Sequence, residues 1–183
     1  MLRFVLVGCA FGLAVELAYK FVGRFNPVGF FIALVFYPLY MAFVYFSAKV
    51  FGLVRNETVR LALIFFSYGL LGILFEWTVL GNSPAGNPNA SQVTMFSMWA
   101  SSAVMPQIFA DRGADLRRLR RSVRMALLVY VLVSLAGVVL PHPLRFYWVI
   151  GLSYVFYNGL VVFYMCYLVT VRRRRVPPLR GSG

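Results

Sequence analysis

The stretch Phe146 to Val171, FYWVIGLSYVFYNGLVVFYMCYLVTV, carries no charge and is stopped by Arg172-Arg173-Arg174-Arg175. A helix needs about 20 apolar residues to cross the hydrocarbon core of a bilayer. This run therefore predicts a membrane span pinned at one end by a block of cations. Five more apolar runs precede it, over 3–20, 28–53, 61–80, 91–110 and 125–141. With 61% hydrophobic residues and a mean hydropathy of +0.79, the 183-residue chain has too few polar side chains to coat a water-soluble domain. The expected fold is all-α: a polytopic integral membrane protein with six transmembrane helices in one bundle over 1–171. A basic, disordered cytoplasmic tail is expected over 172–183.

The basic residues give the expected threading. On one set of alternate connections stand Arg3, then Lys49, Arg55 and Arg60, then Arg112, Arg117, Arg118, Arg120, Arg121 and Arg124, then Arg172 to Arg175 with Arg180. The other set holds Lys20, Arg24 and Arg145. By the positive-inside rule the richer set is cytoplasmic, so both termini are expected inside, in a plasma membrane of the bacterial inner-membrane type. The three expected outer connections carry helix-ending chemistry: Asn26-Pro27, the run Gly81 to Asn89, and Pro141-His142-Pro143.

A net charge of +13 would point to nucleic acid in a soluble protein. Here the arginines cluster at span ends, where anionic lipid headgroups attract them, and no nucleic-acid partner is expected. Arg117, Arg118, Arg120, Arg121 and Arg124 are expected to form a short interfacial helix contacting anionic lipid. A plain stop-transfer signal is the alternative. Cys9 and Cys166 fall inside apolar runs and form no CxxC pair. Leu6-Val7-Gly8-Cys9 matches a lipoprotein cleavage box, but too few apolar residues precede it for a signal peptide, and the first span is expected to stay uncleaved.

A short repeat places the two acids that lie inside spans. Phe11-Gly12-Leu13-Ala14-Val15-Glu16-Leu17 aligns with Leu71-Gly72-Ile73-Leu74-Phe75-Glu76-Trp77, and Asn26-Pro27 and Asn87-Pro88 follow. Spans one and two thus read as a hairpin repeated by spans three and four, with chance similarity as the competing explanation. The other acids, Glu57, Asp111 and Asp115, sit in or beside expected cytoplasmic connections. An ionisable residue within a span costs about 2.5–3.5 kcal/mol on insertion scales, so Glu16 and Glu76 are functional candidates by default. Lys20 follows Glu16 by one helical turn, which favours a structural ion pair. Arg24 and Arg145 are further charge-compensating candidates. Glu76 has no evident cation or local partner, which weights it toward ligand binding or proton coupling. Glycines lead to both acids, Gly8 and Gly12 to Glu16, and Gly69 and Gly72 to Glu76, so both carboxylates are expected to face the bundle.

The fourth run is the most polar. Thr94, Ser97 and Ser101 share a helical face there and either line a polar route or mediate close helix packing. Trp77 lies beside the uncharged loop residues Asn82, Ser83, Asn87, Asn89 and Gln92. Asn158, just after Tyr154 and Tyr157, adds a polar contact or an interhelical hydrogen bond. The single His142 and the absence of HExxH, GxSxG and P-loop patterns weigh against an enzyme, and no metal or cofactor is expected. The leading expectation is a small carrier or facilitator for a small polar or amphipathic solute, with Glu76 as its principal group. A noncatalytic accessory binding lipid or a partner's transmembrane helices is the alternative, and an enzyme acting on a lipid-linked substrate ranks third. Six short spans make a homo-oligomer or a membrane partner plausible.

Overall fold

The computed structural model describes residues 1–86, 92–110 and 116–175, and every regular element among them is helical. Helix α1 (Leu2–Glu16) continues into a π-helical segment, Leu17–Gly23. Next come α2 (Pro27–Ser47) with a 3-10 extension Ala48–Leu53, α3 (Glu57–Thr78), α4 (Gln92–Ala110), α5 (Leu116–Ala136) with a short 3-10 stretch Gly137–Val139, and α6 (Leu144–Arg175). The breaks follow local chemistry. Pro27 opens α2 behind Asn26, whose side chain accepts the Gly29 amide at 2.9 Å. Asn56 caps α3 by accepting from the Thr58 and Val59 amides. Such caps satisfy amides that the first turn leaves without helical partners.

Among the described residues, five helical stretches are long and apolar enough to cross a membrane: Leu2–Gly23, Pro27–Leu53, Glu57–Thr78, Arg117–Val139 and Leu144–Leu168. Six are expected from the sequence, and α4 makes the difference. It holds no charged residue, but its serines, threonine and glutamines lower its hydropathy. Its position accounts for this composition. α4 packs against α1, α3 and α6, and nearly every residue from Ser97 to Phe109 is buried. A helix wrapped by others need not be apolar on all sides. α2 shows the opposite pattern, exposing Phe31, Ile32, Val35, Leu39, Phe43 and Phe46 along a face suited to lipid.

Two terminal expectations shift. Arg117 to Arg124 do not form a separate interfacial helix; they are the first turns of α5 itself, because nothing in Leu116 to Met125 breaks a helix. Arg117, Arg118, Arg121 and Arg124 are exposed there. Arg172 to Arg175, expected in the disordered tail, continue the backbone of α6. Residues 176–183 lie outside the described residues, as do Asn87, Pro88 and Asn89 of the expected loop cluster and Asp111 and Asp115.

The connection after the π segment, the loop after α3 and the start of α6 meet at one end of the bundle. Tyr19 lies beside Phe146 with ring centroids 5.6 Å apart, and the Arg145 guanidinium sits 4.3 Å over the Phe25 ring. Glu16 and Glu76 lie below this loop end.

Candidate functional site

The repeated Gly-x-x-x-Glu segment builds the same arrangement twice. At Gly12 the absent side chain makes room for the ring of Tyr37 on α2: a Cβ there would lie 2.0 Å from Tyr37 Cε1. One turn later Glu16 Oε1 accepts the Tyr37 hydroxyl at 3.4 Å. At Gly72 the ring is that of Trp99 on α4, with a Cβ 2.0 Å from Trp99 Cγ. One turn later Glu76 Oε1 accepts the Trp99 indole N–H at 3.1 Å. Each glycine thus seats an aromatic donor from the following helix, and the donor reaches the acid above it. The Tyr37 and Trp99 rings themselves stack, 6.1 Å between centroids and 20° between planes. The two halves meet ring to ring at the bundle centre.

The acids differ in their remaining partners. Glu16 Oε2 lies 3.9 Å from Lys20 Nζ, the expected pair across one turn. That oxygen is buried and accepts no hydrogen bond among the described residues. Glu76 is 6% exposed. Contrary to the expectation that it lacks a local partner, its Oε2 accepts Asn82 Nδ2 at 2.7 Å from the loop after α3, and its main-chain oxygen accepts the Asn82 amide at 2.9 Å. Gln92 holds that loop in turn, donating to the Asn82 main-chain oxygen at 3.2 Å and accepting the Trp77 indole N–H at 2.7 Å. The Glu76 carboxyl is therefore oriented by two neutral donors.

Both carboxyls line one cavity of about 130 Å³, together with Lys20, Arg24, Tyr19, Asn82, Thr94 and Ser153 and the apolar Val15, Leu80, Met95, Met98 and Ile150. The walls come from α1, α3, α4 and α6 and from the π segment. That segment is bonded from the Arg24 amide back to the Tyr19 carbonyl at 3.1 Å, an i to i+5 step that widens the helix. π turns inside α-helices recur at functional sites. Here the wide turn carries Tyr19 and Lys20, with Arg24 just beyond it. The Arg24 guanidinium lies 4.7 Å over the Tyr19 ring and donates to its hydroxyl at 2.9 Å. The exposed Arg24 and Leu80 mark the mouth at the loop end.

Of the residues singled out from sequence, Glu16, Glu76, Lys20, Arg24, Asn82 and Thr94 meet in this cavity. Ser97 donates to Asn158 Oδ1 at 2.8 Å and ties α4 to α6. Ser101 is buried against neighbouring helices. These two serines and Asn158 therefore match the packing alternative. Trp77 points away into the loop tie. Arg145 sits over Phe25, outside the cavity. Sequence reasoning missed Tyr37 and Trp99. Extending the repeat would not have paired them, since Tyr37 follows Glu16 by 21 residues and Trp99 follows Glu76 by 23.

A second, apolar groove opens between α2 and α3, lined by Phe36, Leu39, Tyr40, Phe43, Leu71, Leu74, Phe75 and Thr78 and floored by Trp99. One face of Trp99 thus borders this lateral groove while its N–H holds Glu76 at the polar cavity. Among the described residues no group of three or more His, Cys, Asp or Glu comes together as a metal site. Compared with protein-family models, curated proteins and solved structures, the chain matches none.

Proposed function

We propose that this chain is a small membrane carrier or facilitator whose ligand enters the Glu16–Glu76 cavity, with Glu76 as the principal binding group. In this reading α4 is a sixth, central span and both termini are cytoplasmic. The mouth of the cavity then faces outward, and the arginines at the start of α5 rest against anionic headgroups. The observation that carries the proposal is the convergence of two acids and two cations, Glu16, Glu76, Lys20 and Arg24, on one cavity inside an apolar bundle. Charges in such a setting are expensive to insert, and a bundle that needed only packing could fill these positions with apolar side chains.

A second reading, a noncatalytic accessory that binds lipid, draws on the groove between α2 and α3. One experiment separates the two: a thermal-stability screen of the protein in lipid nanodiscs against small solutes and lipids, run on wild type and Glu76→Gln. The carrier reading expects at least one water-soluble solute to raise the wild-type Tm and to leave the variant unmoved. Stabilisation by lipids alone, equal in both proteins, would refute it and favour the accessory.

A further inference from the structure

Resting on that reading, we infer that the ligand is a small zwitterion with an apolar body, bound with its cationic end deep beside the two glutamates and its anionic end at the mouth beside Lys20 and Arg24. Four observations lead there. The charges are layered, because Glu16, Lys20 and Arg24 follow one another at successive turns toward the loop end, and Glu76 joins Glu16 on the floor. Lys20 Nζ stands 3.9 Å from Glu16 Oε2 where the two layers meet, and Arg24 lies a further turn on, at the exposed mouth. A free cation would have to pass the rim, and a free anion would meet the floor. A molecule carrying both charges in this order matches both layers.

The second observation is an acceptor without a donor. Glu16 lines the cavity, and its Oε2 is buried and accepts no hydrogen bond among the described residues, with Lys20 Nζ 3.9 Å away. A buried carboxylate oxygen in that condition is costly to leave unmatched, and an ammonium group brings three donors. Third, Glu76 already holds neutral donors from Asn82 and Trp99, which fix its direction, and among the described residues no cation forms an ion pair with it. Fourth, the opposite wall is apolar: Val15, Met95, Met98 and Ile150. That wall would take an alkyl portion lying between the charged ends. The cavity is small, about 130 Å³, which suits a compact body.

The test measures the thermal shift of the whole chain in nanodiscs with four probes of one skeleton and with a longer zwitterion. The four are L-valine, valinamide, N-acetylvaline and N-acetylvalinamide, and the longer one is 5-aminopentanoate. At least one zwitterion is expected to stabilise the wild type where the three blocked forms of valine do not. The response should vanish in Glu76→Gln and in Glu16→Gln. Arg24→Gln, at the exposed rim, should weaken apparent affinity about tenfold or more. If a singly charged or uncharged probe stabilises instead, in a Glu76-dependent way, the zwitterion assignment is overturned and the carrier reading stands. Absence of any response to both zwitterions overturns the assignment as well. The carrier reading itself falls only if the broader solute screen gives no Glu76-dependent stabilisation.

Discussion

Replacing Gly72 with alanine drives a methyl group into the Trp99 indole. The added Cβ would lie 2.0 Å from Trp99 Cγ and 2.4 Å from its Cβ, well inside the ~3.5–4.0 Å of an ordinary carbon contact. The indole has little freedom to retreat, since the rings of Phe36, Tyr37, Tyr40 and Phe75 surround it. Overpacking a core costs about 1–3 kcal/mol. Shifting the indole N–H off Glu76 Oε1 removes a hydrogen bond to a carboxyl, a further ~1.5–3 kcal/mol. Alanine's better helix propensity offsets ~1 kcal/mol of this, leaving a net destabilisation of roughly 1.5–5 kcal/mol. Gly151 on α6 supplies the control, since a Cβ there meets nothing within 4 Å. Gly151→Ala should be neutral or stabilising by up to ~1 kcal/mol. Reversible unfolding in mixed micelles, followed by helical circular dichroism, measures both. Finding Gly72→Ala within ~0.5 kcal/mol of wild type, the range of an ordinary surface change, would refute the account of Trp99 as a ring seated on a glycine.

Other expectations follow from neighbouring contacts. Asn82→Ala should cost about 1.5–3 kcal/mol by stripping the loop donor from Glu76 Oε2, and the same unfolding assay will show whether it does. Ser97→Ala should lower stability by ~1 kcal/mol through the lost tie to Asn158 while leaving any solute-induced Tm shift at wild-type size; loss of the shift would return Ser97 to the binding site. Glu16→Gln should change stability by no more than ~1 kcal/mol, because a 3.9 Å ion pair on a partly exposed lysine contributes little. For the threading, a single cysteine at Gly86 should react with a membrane-impermeant maleimide on intact cells, whereas one at Arg121 should react only after permeabilisation; the reverse pattern would invert the orientation.

The helical fold, with helices long and apolar enough to cross a membrane, was readable because it depends on run length and hydropathy, which a linear sequence displays directly. The two buried acids were also visible, since a carboxyl between apolar neighbours is conspicuous in one dimension. What supports them was not. Tyr37 and Trp99 sit in runs already rich in aromatics, and only the three-dimensional seat over Gly12 and Gly72 distinguishes them from lipid-facing rings. Asn82 was visible as one of the polar loop residues beyond Glu76, but its bond to the carboxyl was not: six residues on, past the helix end, it returns there because the chain turns back at Gly81, whose φ is 70°. The serines of α4 could be read both ways. Their helical spacing is real, but a face that lines a cavity and a face that packs on a neighbour have the same periodicity. The π segment left no sequence signal either, since Leu17 to Gly23 reads as ordinary apolar helix.

The burial of one indole has a practical use. Trp77 and Trp148 are each 41% exposed, whereas Trp99 is 3% exposed and bonded to Glu76. With the outer two replaced by phenylalanine, the protein would hold a single native fluorophore wired to the carboxyl in question. Its ultraviolet emission would then register occupancy and charge at that carboxyl in real time, with no dye attached.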